Sequence, residues 1–355
     1  MPQIFPATWL VYCRPGFERD ALAELLHHAQ ENGVICEGAN GEGWASVTRS
    51  DNEPINDLHR QVHFDSLIFA RQTLIALPVL ELDREDRLTS LVAQVMEAHW
   101  SFEEIWHETP DTNEGKALSR LIKSLSRPLE SLLKKKGALR RKAGGRRLHL
   151  FWTSGSTLQV GLSFPGNRSD VPGGIRRLRV PSRAPSRSTL KLEEAWHEFI
   201  PRTDWDERIA RHMTAADLGA APGGWTWQLV QKGMYVYAID NGPMDADLMA
   251  SGQVEHLKED GFIWEPPHRL DWLVCDIVDK PVRVIAMVER WLVGRWCREA
   301  IFNLKLPMKK RWEEVTKCLS HLEDVLDTAG ARHTIRCRHL YHDREEVTVH
   351  IRLHQ

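Results

Sequence analysis

No C-x-x-C pair occurs in this sequence. Its six cysteines (Cys13, Cys36, Cys275, Cys297, Cys318 and Cys337) are scattered, with no two close together. That scatter excludes a disulfide framework and a structural zinc site, and predicts reduced thiols in a cytosol. No apolar run reaches about 18 residues, so no segment reads as a membrane-spanning helix. The opening stretch MPQIFPATWLVYCRPGFERD has neither a basic leader nor a small-residue cleavage site, which makes it a poor signal peptide. No repeat is visible. Net charge is also nearly absent, with 47 Lys and Arg against 49 Asp and Glu. With 42% hydrophobic and 27% charged residues, the 355-residue chain reads as globular, cytoplasmic and long enough for two or three domains.

The overall balance hides a local imbalance. Between Lys116 and Arg147 there are twelve Lys or Arg and one acid, Glu130. A charge run is commonly a solvated helix face, but one this lopsided concentrates positive potential as a phosphate backbone requires. A second basic stretch, NRSDVPGGIRRLRVPSRAPSRS, is rich in Pro, Gly and Ser and reads as a linker. The predicted division is an α+β, ferredoxin-like unit over 1–75, an RNA-binding region over 76–168, a basic linker over 169–187 and a domain of alternating strands and helices over 188–355.

From Ser188 onward, strands and helices alternate. STLKLEEAWHEFI, WTWQLVQKG, KPVRVIAMVERWLVGRW and KKRWEEVTKCLSHLEDVLDTAG have helical spacing. AADLGA, MYVYAID, DWLVCDIV and EAIFNLKL read as strands, and RHTIRCRHL and EVTVHIRL as a closing hairpin. The fold class expected is α/β, a doubly wound Rossmann-like sheet with an antiparallel edge hairpin, preceded by an α+β region.

One loop is unusually bare: TAADLGAAPGGWTWQ. Glycine and alanine at a strand end let a ligand approach the backbone, and the next helix offers unpaired N–H groups. Gly219, Gly223 and Gly224 do not have the G-x-G-x-x-G spacing of a nicotinamide fingerprint, which counts against an oxidoreductase. Asp240 ends the next strand, within reach of a ribose diol in this topology; a turn residue is its plain alternative. Asp260 falls where an acid accepts from an adenine amino group, or is an ordinary turn acid. Trp225 and Trp227 read as packing residues rather than base-stacking platforms.

DLGAAPGGW closely resembles the cofactor loop of the FtsJ-like class of S-adenosyl-L-methionine-dependent RNA ribose 2′-O-methyltransferases. SRSTLKLEEAW, LVCD, FNLK and REEVTV resemble further segments of that class. With its N-terminal half and KLPMKKRWEEV, the whole chain is similar to the bacterial RlmM family. The resemblance implies a class I methyltransferase domain after a THUMP-containing RNA-binding region. It also implies methylation of a cytidine ribose in the peptidyl-transferase loop of 23S rRNA, free or in a precursor particle, by a monomer.

A ribose hydroxyl is a weak acid, so its methylation calls for a base. Lys305, at the end of a strand, is the candidate; a snorkelling lysine is the plain alternative. Asp276, at another strand end, points to the same crevice or caps a helix. The resemblance adds Lys191 and an acid from DREEV, for which Glu346 is preferred to Glu345, completing a Lys191, Asp276, Lys305 and Glu346 constellation. Ser188 is expected near the cofactor and also as an N-cap. Ala221, Pro222, Gly223 and Gly224 are expected against its methionine part. No metal is needed, and the HLYHDREE cluster reads as a polar hairpin. The competing reading is an RNA-binding protein whose methyltransferase-like domain is inactive.

Overall fold

A computed structural model describes residues 4–354. The chain forms two compact units, Met1–Ile175 and Arg176–Gln355.

The first unit holds β1 (Thr8–Tyr12), α1 (Glu18–Glu31), β2 (Cys36–Gly41), β3 (Trp44–Arg49), α2 (Asn56–Gln61) and β4 (Gln72–Ala76). It continues with β5 (Leu80–Glu81), α3 (Arg87–Glu97), β6 (Glu104–Glu108), α4 (Asn113–Ala117), α5 (Ser119–Lys135), β7 (Arg147–Trp152) and β8 (Thr157–Ser163). One sheet runs β2-β3-β1-β4-β8-β7-β6, with β5 also on β8. The β4–β8 pairing, Ile75 with Leu162 and Ala76 with Gly161, joins the 1–75 and 76–168 ranges into one sheet. β6 and β7 are parallel. A parallel pair needs a crossover, and α4 with the basic helix α5 supplies it. Strands β6 to β8 escaped the sequence reading because β7, buried throughout, lacks the alternation of a half-exposed strand.

A polar chain crosses this core. Glu108 accepts from Tyr12 Oη at 2.8 Å and Gly173 N at 2.6 Å, and pairs with His149 Nδ1 at 2.7 Å. His149 Nε2 meets Ser163 Oγ at 2.7 Å. The Ser–His–Glu order is that of a hydrolase triad, but Ser163 and His149 are fully buried, so this network pins strands and reaches no substrate.

The second unit holds α6 (Thr189–Phe199), α7 (Trp205–Arg208), β9 (Thr214–Leu218), α8 (Gly224–Gln231), β10 (Tyr235–Ile239), α9 (Ala246–Met249) and β11 (Val254–Leu257). Then follow β12 (Trp272–Cys275), α10 (Pro281–Val293), β13 (Glu299–Lys305), α11 (Arg311–Thr328), β14 (His333–Arg338) and β15 (Glu346–Leu353). The sheet order is β11-β10-β9-β12-β13-β15-β14. The first five strands are parallel, β15 runs antiparallel to β13, and β14 antiparallel to β15. This is the expected doubly wound sheet with an antiparallel edge; only β11 was missing from the sequence reading. The order reverses between β9 and β12, which opens a crevice at their carboxyl ends. Trp196, Trp225 and Trp272 fill the core beneath it, and partly buried Trp227 packs against that core. No helix of the described residues is long and apolar enough to cross a membrane.

Gly161 tests the sheet of the first unit. A Cβ there would lie 1.8 Å from Leu74 Cδ1 and 3.0 Å from Ile75 O, and Leu74 is held in a cluster with Tyr12 and Phe151. Gly161→Ala is expected to destabilise this unit by about 1–3 kcal/mol through overpacking. Urea denaturation of the full chain, followed by circular dichroism, reads the loss.

Candidate active site

The bare loop lies between β9 and α8, at the reversal of strand order. Gly223 has φ +115°, a backbone region closed to residues with a Cβ. At Gly224 the constraint is approach: a Cβ would lie 2.2 Å from Ser188 Oγ. Ser188 therefore sits against the start of α8. Ser188 occupies the N-cap position of α6, but its hydroxyl meets Ser186 Oγ at 2.5 Å and makes no capping bond to the helix. The Ala221–Pro222 peptide is cis.

Asp240 fastens this loop. Its carboxylate accepts from Ala221 N at 3.0 Å and Gly242 N at 2.6 Å, tying the end of β10 to the turn after β9. Asp260 stands in an exposed turn after β11 and accepts from Phe262 N at 2.9 Å. A loop without side chains, the start of a helix and two carboxylates along one sheet edge fit a nucleoside-bearing cofactor: backbone for its amino-acid part, carboxylates for hydroxyl and amino donors.

Four charged side chains converge beside the loop. Lys191 Nζ lies 2.9 Å from Asp276 Oδ2 and 2.5 Å from Glu346 Oε1. Lys305 Nζ lies 2.9 Å from Asp276 Oδ1 and 2.6 Å from Glu346 Oε2. Both carboxylates thus bridge both lysines. Asp276 follows β12 directly and is not the cap of α10, where Lys280 occupies the N-cap position. Glu345 leaves the group and pairs with Arg311 at 2.7 Å.

Strand register builds this arrangement. Lys305 is the cross-strand partner of Glu346, and Asn303 that of Thr348. With side chains alternating along a strand, Asn303 and Lys305 share one face, as do Glu346 and Thr348. Asn303 Nδ2 donates to Asp276 Oδ1 at 2.9 Å, and Thr348 Oγ1 meets Asn303 Oδ1 at 2.8 Å and Asp343 Oδ2 at 2.9 Å. Glu194 accepts from the backbone N–H groups of Tyr341 and His342, each at 2.9 Å, and so anchors the turn entering β15. The sequence reading missed Asn303, Thr348, Asp343 and Glu194. A polar residue two positions from each expected site residue was the available signal for the first two.

The charges are strongly coupled. Burial opposes ionisation of Lys191, but Asp276 and Glu346 outweigh it and hold the ammonium well above the ordinary lysine range. Burial likewise opposes ionisation of Asp276, yet Lys191 and Lys305 keep its carboxyl below the usual range. Asp217, under the loop on β9, behaves oppositely. Burial lifts it from 3.8 to about 7, against the lowering bond from Thr226 Oγ1, which donates to it at 2.6 Å. Among the described residues no group of three or more His, Cys, Asp or Glu is placed to hold a metal ion.

Comparison with known proteins places this geometry. The RlmM ferredoxin-like domain matches residues 7–74, and the N-terminal domain of ribosomal RNA large subunit methyltransferase M matches residues 86–164. The FtsJ-like methyltransferase domain matches residues 184–293. The chain is 65% identical over 352 residues to ribosomal RNA large subunit methyltransferase M of Chromohalobacter salexigens, covering 98% of each. It is 49% identical to the protein of the same name from Marinomonas sp., over 96% of this chain and 97% of that one. The chain belongs to the ribosomal RNA large subunit methyltransferase M family. It is accordingly an S-adenosyl-L-methionine-dependent ribosomal RNA methyltransferase with a Rossmann-like catalytic domain. The glycine loop lies inside the matched FtsJ-like range, and so do Lys191 and Asp276; Lys305 and Glu346 lie beyond it.

Asp217 carries a pH test. Its folded value is raised, so the stability it contributes is complete below about pH 4 and lost as pH rises through 7. Asp217→Asn, which keeps an acceptor for Thr226, is expected to match the parent near pH 4. Near pH 8 it should exceed the parent by at most about 4 kcal/mol. Thermal midpoints across that range check it.

Proposed function

We propose that the chain methylates the ribose 2′-hydroxyl of a cytidine in the peptidyl-transferase loop of 23S rRNA, with Lys305 as general base. The observation that carries this reading is the sharing of two carboxylates by two lysines beside the glycine loop. S-adenosyl-L-methionine, when bound, supplies a methyl group on a sulfonium. In this reading Ala221, Pro222, Gly223, Gly224, Ser188, Asp240 and Asp260 hold it, and Asp276 borders both it and the lysines.

The four side chains then handle the proton. With both lysines charged, the group is neutral: two cations face two anions. Lys191 is held charged by both carboxylates; in this reading Lys305, as the base, is the member that releases a proton. That release leaves a net charge of about −1 in a half-buried site, and uptake of the 2′-hydroxyl proton by Nζ would restore neutrality as the methyl group passes from the sulfonium sulfur, whose S–methyl bond breaks, to O2′. Asp276 and Glu346 fix the direction of Nζ, and Asn303 fixes Asp276.

RNA contact is assigned to the N-terminal half, as a THUMP-type region. Arg120, Lys123, Arg127 and Lys134 are exposed and recur on α5 at spacings of three, four and seven, while Leu129 and Leu133 are buried on the opposite face. The resulting cationic stripe is about 21 Å long, a row suited to a phosphate backbone. The reading includes a cytoplasmic monomer acting on free or precursor-bound 23S rRNA.

The primary test uses radiolabelled S-adenosyl-L-methionine and 23S rRNA from cells lacking the enzyme, followed by alkaline hydrolysis. Label in an alkali-resistant dinucleotide is the expected result. Label in a mononucleotide means base methylation, and no label despite cofactor binding means the ribose reading is wrong for this RNA. Lys305→Ala should slow single-turnover transfer by about 10²–10⁴-fold with cofactor still bound. Lys191→Met leaves both carboxylates to Lys305, so the acidic limb of the pH–rate profile should move to higher pH. Alanine replacement of Arg120, Lys123, Arg127 and Lys134 should weaken RNA binding and flatten its salt dependence by about 0.7–0.9 per lost phosphate contact, in logarithmic slope.

A further inference from the structure

Lys305 also lines a depression of about 430 Å³, within the ~300–1,000 Å³ range of ligand pockets. Val282, Leu306 and Pro307 give it apolar walls, and Lys305 stands on its border. Val282 is 63% exposed, an apolar side chain left open at the start of α10. Lys280 and two carboxylates also line it, and the carboxylates differ. Asp279 is engaged by Lys280 N at 2.6 Å and Arg283 Nη1 at 2.5 Å. Glu314, half-buried on the first turn of α11, receives no hydrogen bond to its carboxylate from any described residue.

We propose that this pocket seats the base of the target nucleotide and that Glu314 selects cytosine by accepting from its 4-amino group. The proposal rests on the ribose-methylation reading. A ribose whose 2′-hydroxyl meets Lys305 Nζ, with the glycine loop on one side, places its base on the other side, where the apolar walls lie. A base treated this way must leave its stack, and apolar surface together with a directional polar group, here the unengaged Glu314 carboxylate, is what receives it. The polarity of that group decides between pyrimidines. Cytosine presents a donor at position 4 and uracil an acceptor, so an unpaired carboxylate attracts the first and repels the second.

The test compares two 23S rRNA transcripts carrying cytidine or uridine at the mapped site, with parent enzyme, Glu314→Gln and Val282→Asp. The parent is expected to favour cytidine by about 10–100-fold in kcat/KM. Glu314→Gln can donate as well as accept, so it should reduce that preference to a few-fold while cofactor affinity stays the same. Val282→Asp charges an apolar wall and should raise KM for RNA without changing the preference. A parent-like preference in Glu314→Gln, or unchanged kcat/KM in Val282→Asp, overturns the base pocket alone, provided the parent yields alkali-resistant label. If the parent yields none from either transcript, ribose methylation falls and the pocket falls with it.

Discussion

Everything at the catalytic edge depends on the pairing of β13 with β15. That antiparallel register sets Lys305 opposite Glu346 and Asn303 opposite Thr348, so one ladder supplies the proposed base, its acidic partner and the polar chain behind them. The neighbouring parallel pair β12–β13 sets Cys275 against Phe302, which brings the following Asp276 level with Asn303. Lys191 reaches the same carboxylates from α6. A one-residue slip of β15 would turn Glu346 away and offer Glu345 in its place.

The polar groups behind the site limit such slippage. Asn303, Thr348 and Asp343 are fully buried, and each bonds the next. Burial raises Asp343 well above the usual carboxyl range, with Glu346 and Glu194 adding to the effect. Such a network is costly unless its members meet their partners, and that cost selects a single register. The N-terminal unit uses the same device in the Tyr12, Glu108, His149 and Ser163 chain, where burial makes a triad-like order purely structural.

Asp240 and Asp217 show how one loop assigns two acids different work. Asp240 meets backbone N–H groups on both sides and ties the loop to the neighbouring strand. Asp217 lies under the same loop with Thr226 as its hydrogen-bond partner and is driven toward its neutral form. Their sequence surroundings gave no sign of the difference, because desolvation is a property of the packed core.

The sequence by itself determined the alternation of strands and helices after Ser188, the bare loop after β9 and the basic crossover helix, since these follow from local periodicity, backbone freedom and charge density. It also contained the four residue types of the site. Only the tertiary structure decided which acid of the DREEV segment joins the lysines, because neighbouring strand residues point to opposite faces and the register alone selects between them. It also joined the first two sequence ranges in one sheet, through two cross-strand pairs far apart in the chain. The silent partners Asp343 and Glu194, and the unengaged carboxylate of Glu314, became visible for the same reason. Hydrogen-bond satisfaction is settled by what folding brings within reach, and no local pattern encodes it.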